Sequence, residues 1–125
     1  MTTTRKQGEY TESLACQFLE NKGFKLIEKN FNCRLGEIDL IMQDNDALVF
    51  IEVRYRRNTH FGSGAESITA TKRAKLIKAA SVFLQRNAKL NQHPARFDVV
   101  SITGFIETND ISKINFDWIE NAFGV

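Results

Sequence analysis

The sequence has one proline, one tryptophan, two histidines and two cysteines in 125 residues, and each scarcity removes a class of structure. Cys16 and Cys33 stand far apart, with no Cys-x-x-Cys and no paired histidines nearby, so the spacing of a structural zinc site is absent. Both thiols are expected to be buried. No apolar run approaches the roughly 18 residues of a membrane span. The polar start MTTTRKQGEYTE lacks the apolar core of a signal segment. A reduced cytoplasmic protein that does not enter the membrane is the expectation. Linkers, repeats and low-complexity tracts are missing too, so residues 1–125 read as one domain.

Net charge is also small, at +2, but it is unevenly spread. Residues 1–53 sum to −3, residues 54–96 to +9 with Glu66 as the sole acid, and residues 97–125 to −4. A basic middle folded onto one side would make a field suited to a polyanion such as nucleic acid. The plainer reading of a charge run is a solvated helix flank.

Tyr10, Leu14, Ala15, Phe18 and Leu19 recur at helical spacing with Gly23 as a stop, which predicts a first helix over about residues 7–22. FKLIEKNF follows as a short strand. GEIDLIM and ALVFIEVRY are apolar, β-branched and aromatic runs separated by QDND, a hairpin signal. With a two-residue turn at Asn45 and Asp46, Asp39 faces Glu52 and Glu37 faces Arg54. Ala74, Leu76, Ile77, Ala80, Phe83 and Leu84 trace a long helix, capped by Thr69 or Thr71 and carrying Lys72, Arg73, Lys75 and Lys78. Asn87 bounds that stripe, and Pro94 is placed at a helix end. RFDVVSI reads as a buried strand. FIETNDISKINFDWI reads as a second hairpin about Asn109 and Asp110, with Ile114, Phe116 and Trp118 on one face. Hairpins joined by one long helix make an α/β fold, a mixed sheet flanked by helices.

Two carboxylates directly opposed across a strand pair repel each other, and both lie in apolar segments, where an unpaired anion is costly to bury. A cation belongs between Asp39 and Glu52. A hard divalent ion such as Mg²⁺, which takes oxygen ligands, fits. Arg54, on the same strand face as Glu52, offers an ordinary salt-bridge network instead. The hairpin by itself leaves both open.

Glu12 on a first helix, GEID with Asp39, VFIEVRYRR with Glu52 and Arg54, TATK with Lys72, and RFDVV occur in an order that resembles the bacterial YraN family of uncharacterised proteins. The likeness runs from about residue 8 to about residue 104. That family is similar to the PD-(D/E)XK nucleases, with the restriction-endonuclease-like fold, and within them to archaeal Holliday-junction resolvases. The resemblance implies a metal-dependent phosphodiesterase acting on DNA, with branched or structured DNA among its substrates. It implies Asp39 and Glu52 as ligands of Mg²⁺ or Mn²⁺, aided by the backbone carbonyl of Val53. Glu12 matches the helical glutamate of the resolvase branch, and a homodimer is implied by analogy with the resolvases.

One departure stands out. The superfamily usually has lysine where this chain has Arg54, and arginine donates hydrogen bonds but cannot act as a general base. Lys72 offers an ammonium from the next helix, set against the plainer reading of a solvated residue near a helix start. Arg54, Tyr55, Arg56 and Arg57, with Lys72, Arg73 and Lys75, are the expected nucleic-acid contacts, and Tyr55, His60 or Phe61 the candidates to stack on an unpaired base. GSG at residues 62–64 reads as a turn, His93 as loop. Arg96 and Asp98 share a strand face and are expected to ion-pair or to brace the carboxylates, with phosphate contact by Arg96 second. Phe116 and Trp118 are expected in the core. The competing class is a nucleic-acid-binding or scaffolding protein on a nuclease fold, favoured by Arg54, whereas an adaptor indifferent to nucleic acid conflicts with the basic segment.

Overall fold

A computed structural model describes residues 4–57, 68–108 and 110–124. Helix α1 (Thr4–Glu20) leads into strands β1 (Lys25–Cys33), β2 (Gly36–Asp44) and β3 (Ala47–Arg56). Helix α2 (Ala70–Arg86) then crosses to β4 (Ala95–Thr103), and β5 (Asn115–Phe123) closes the sheet. The spatial order is β1-β2-β3-β4-β5. Only β3 and β4 run parallel, as expected where a helix makes the crossover.

Alternation along β3 divides the core in two. Val49 and Ile51 pack with Leu40, Met42, Val100 and Ile102 under Leu14, Ala15 and Leu19 of α1. Leu48 and Phe50 pack with Ile41 and Phe97 under Leu76, Ala79, Ala80 and Phe83 of α2. The mixed sheet between two helices is the fold class expected.

Helix α1 ends two residues before the expected boundary. Phe24 N–H bonds to Leu19 C=O at 3.1 Å and Gly23 N–H to Glu20 C=O at 3.0 Å, the paired bonds of a Schellman stop, with Gly23 at φ 99° where a side chain would be strained. Helix α2 is capped by Thr69, whose hydroxyl accepts Lys72 N–H. It does not reach Pro94. Asn87 ends it, its side chain donating to Phe83 C=O at 2.8 Å, and Pro94 lies next to β4, its carbonyl accepting Leu48 N–H.

The first hairpin has the anticipated register from Asp44↔Ala47 to Leu40↔Ile51, turning on Asn45 at φ 54°. The second has β4 and β5 as its arms rather than strands flanking Asn109 and Asp110. Ile106–Thr108 and Ile111–Lys113 form 3-10 turns, the latter because Asp110 Oδ1 accepts both Ser112 N–H and its hydroxyl; Asn109 lies outside the described residues. Ile114, Phe116 and Trp118 do share the α1 face, where Phe116 stacks on Phe18 with centroids 4.8 Å apart. Cys16 is buried, but Cys33 is only half-buried, because it ends an edge strand. Among the described residues, no helix is long and apolar enough to cross a membrane.

Candidate active site

Strands β2 and β3 part at Asp39. The ladder stops at Leu40↔Ile51, so the expected pairs Asp39–Glu52 and Glu37–Arg54 lie beyond it. Ile38 packs with the α2 cluster and Leu40 with the α1 cluster. Residues two apart in a regular strand share a face, so β2 turns over across Asp39. There Asp39 Oδ2 accepts Val53 N–H at 2.8 Å, which ties the diverging strands together.

Asp39 and Glu52 come together at this point, with Glu12 next to Asp39. Glu52, on the α2 side with Leu48 and Phe50, is 5% exposed. Glu12 reaches in from α1 and lies beside Asp39 and Asn30. Asn30 holds a left-handed φ of 52°, a conformation asparagine tolerates better than most residues.

Two cations face the same oxygen of Glu52. Lys72 Nζ lies 3.4 Å and Arg54 Nη1 3.5 Å from Oε2. Thr69 at the α2 N-cap fixes the turn that presents Lys72. Burial nonetheless outweighs these cations. It pushes the Glu52 carboxyl up to about 7, with Asp39 repelling and Lys72 and Arg54 opposing. Asp39 is pushed up to about 6, again chiefly by burial, against the Val53 N–H and with added repulsion from Glu12. Burial also raises Glu12. Burial therefore disfavours the charged forms of all three carboxyls despite the two cations at Glu52.

The oxygen-only donor set fits a hard divalent ion. Among the described residues, no three His, Cys, Asp or Glu side chains form a ready-made ligand cluster. The protein part of any site thus rests on Asp39 and Glu52, with Glu12 adjacent.

The other expected contacts separate into groups. Lys75 and Lys72 line a cleft of about 410 Å³ between α2 and the β1–β2 turn. Arg73 points away, donating to Ile68 C=O and lying over the Phe123 ring. Tyr55 is not poised to stack on a base. Its hydroxyl donates to Gly104 C=O at 2.6 Å and its ring packs against the α1 core. Half-buried Arg56 accepts Gly104 N–H on its backbone carbonyl. Arg57 is exposed, 3.7 Å from Glu107 and over the Phe105 ring. His60, Phe61 and residues 62–64 lie outside the described residues. His93 is in the loop after α2, its ring nitrogen 2.9 Å from Asp46 C=O.

Arg96 and Asp98 do ion-pair, at 3.0 Å, but they do not brace the carboxylates. Asp98 is 1% exposed and also accepts Trp118 Nε1–H and Asn121 N–H, each at 2.9 Å. Arg96 reaches Asp44 at 3.1 Å and lies over Phe24, on the sheet face opposite Glu52. Sequence reasoning missed Asn30, the Val53 N–H and Arg34 in the cleft. Of these, only an asparagine inside a strand run was a visible signal.

Comparison with known proteins places these residues in a family. Residues 11–102 match the model of the uncharacterised protein family UPF0102. A UPF0102 protein of Nitrosococcus oceani is 49% identical over 123 residues, covering 98% of this chain and 95% of the relative. One from Stutzerimonas stutzeri is 46% identical, covering 98% of each. One from Pseudomonas aeruginosa is 45% identical, covering 97% of this chain and 94% of the relative. The matched span contains Glu12, Asp39, Glu52, Arg54 and Lys72, and the chain belongs to the UPF0102 (YraN) family.

Proposed function

We propose that this protein is a divalent-metal-dependent nuclease that hydrolyses phosphodiester bonds of DNA. The observation that carries the reading is the Asp39–Glu52 pair, a half-buried and a buried carboxyl side by side, both at raised pKa. A pure nucleic-acid binder gains nothing from such anions beside a phosphate backbone. The resemblance to PD-(D/E)XK nucleases supports the same assignment.

Asp39 and Glu52 would hold Mg²⁺ or Mn²⁺, with the Val53 carbonyl adding to the oxygen set. Such an ion, when bound, lowers the pKa of a water and withdraws charge from the scissile phosphate. The Val53 N–H fixes Asp39, so the carboxylate needs no reorganisation as charge develops. Lys72 Nζ and the Arg54 guanidinium, already at the Glu52 edge, bind and orient the phosphoryl oxygens. The Glu12 carboxyl, raised by burial, orients the attacking water and receives its proton.

The second reading, a binding module without chemistry, is favoured by the two cations that already partner Glu52. Cleavage of labelled single-stranded, duplex, flap and four-way-junction DNA and matching RNA, in Mg²⁺ and Mn²⁺, separates the two. Metal-dependent cutting lost in both Asp39→Ala and Glu52→Ala is the expected result. Salt-sensitive binding without cutting would assign the binding module.

A further inference from the structure

The cleft between α2 and the β1–β2 turn has two kinds of wall. Lys72, Lys75 and Arg34 supply cations, while Leu35, Leu76 and Cys33 supply apolar surface. Leu35 is 44% exposed, an apolar side chain held at the rim of a charged cleft. Glu37 is the one acid in the lining. The volume, about 410 Å³, falls within the roughly 300–1,000 Å³ of small-ligand sites. The cleft adjoins the candidate active site through Lys72, whose Nζ is 3.4 Å from Glu52.

We propose that this cleft seats one unpaired nucleotide next to the scissile phosphate, its phosphate on Lys72, Lys75 and Arg34 and its base against Leu35, Leu76 and Cys33. The proposal rests on the nuclease reading and narrows it, because bases stacked within a duplex offer only edges and phosphates, whereas an unpaired base can bring its face to an apolar surface. The substrate class is nucleic acid with a single-stranded or extrahelical nucleotide at the cut.

Gly36 shapes the cleft. A Cβ there would meet Lys75 C=O at 3.0 Å, so the turn lies directly on α2 and places Arg34 and Leu35 opposite Lys75.

Cys33 gives a readout independent of cleavage. The chain has two cysteines; Cys16 is buried and Cys33 half-buried, and burial also pushes the Cys16 thiol up, so peptide mapping separates a fast from a slow alkylation site. The experiment measures N-ethylmaleimide modification of Cys33 in the full chain. The probes are a single-stranded oligothymidylate and a fully paired duplex, each at about ten times its Kd by anisotropy. Because only the free fraction reacts, the single strand should slow Cys33 roughly tenfold and the duplex little. Leu35→Asp should abolish that protection while duplex binding persists.

Equal protection by both probes, or no protection by a strand that demonstrably binds, overturns the proposal and leaves the nuclease reading standing. No binding of either nucleic acid overturns both.

Discussion

Asp39 Oδ2 accepts the backbone N–H of Val53 at 2.8 Å, so a carboxylate bridges β2 and β3 at the point where their ladder ends. The same side chain is a strand tie and a candidate ligand, and substitution separates the roles. Asp39→Asn retains an acceptor for Val53 but loses the charge. The fold should persist by circular dichroism, while calorimetric Mn²⁺ binding disappears. Asp39→Leu removes the acceptor too and should cost about 1–3 kcal/mol. Undiminished Mn²⁺ binding in Asp39→Asn would remove the metal site.

Stability without metal should fall as pH rises from about 4 to about 7. Asp39 and Glu52 ordinarily titrate near 3.8 and 4.5, but in the fold they are raised to about 6 and about 7. Below that window both are protonated in folded and unfolded chain alike. Within it the folded protein holds more protons, so each step up in pH favours unfolding. An Asp39→Asn/Glu52→Gln double variant should flatten the profile and gain about 1–3 kcal/mol at pH 8. Mn²⁺ affinity should run the other way, tightening through pH 6–7 as the carboxylates ionise. Urea midpoints against pH, in both proteins, test this; parallel profiles would show that the pair is not buried as charge.

Lys72→Ala should raise the Glu52 pKa further. Lys72 is among the groups that hold it down, and a 3.4 Å contact to a largely buried carboxylate is weakly screened. A carboxyl-carbon NMR titration reads the shift directly. An unmoved Glu52 would mean that the ion pair does not form in solution.

Gly36→Ala should destabilise the protein by about 1–3 kcal/mol, the usual range for overpacking. The added Cβ meets a backbone carbonyl oxygen of α2 at 3.0 Å, not the flexible end of a side chain. Chemical denaturation measures it, and an unchanged midpoint would place the β1–β2 turn away from α2.

Asp98→Ala should cost about 3–5 kcal/mol, as expected when a buried charge pair loses one member. Trp118 Nε1–H and Asn121 N–H would lose their acceptor, and Arg96 would keep only Asp44 and Glu120. Trp118 is the only tryptophan, so its fluorescence follows the loss. Nucleic-acid affinity of the folded fraction should stay unchanged, since this network lies on the face opposite Glu52.

What the sequence determined was local and periodic. Alternation in GEIDLIM and ALVFIEVRY, with a turn at Asn45, fixes the register of β2 on β3, because a slip by one residue would move every apolar side chain to the wrong face. Helical spacing identified α1 and α2 and placed Asn87 at the end of α2, but it left Thr69 and Thr71 as alternative N-caps, between which the structure takes Thr69. Tertiary structure decided how distant pieces meet. Periodicity cannot show that β2 turns over at Asp39, since that depends on how Ile38 and Leu40 divide between two cores. Nor can it show that Lys72 reaches Glu52 and Lys75 lines the cleft while Arg73 turns to Phe123; all three are basic residues in one helical turn, and only the docking of α2 tells them apart. Tyr55 looked free to stack in a basic run, yet its hydroxyl is bound to Gly104 C=O and its ring packs on the α1 core. Residue type and spacing are properties of the chain, whereas burial, and the pKa shifts that follow from it, exist only once both helices cover the sheet.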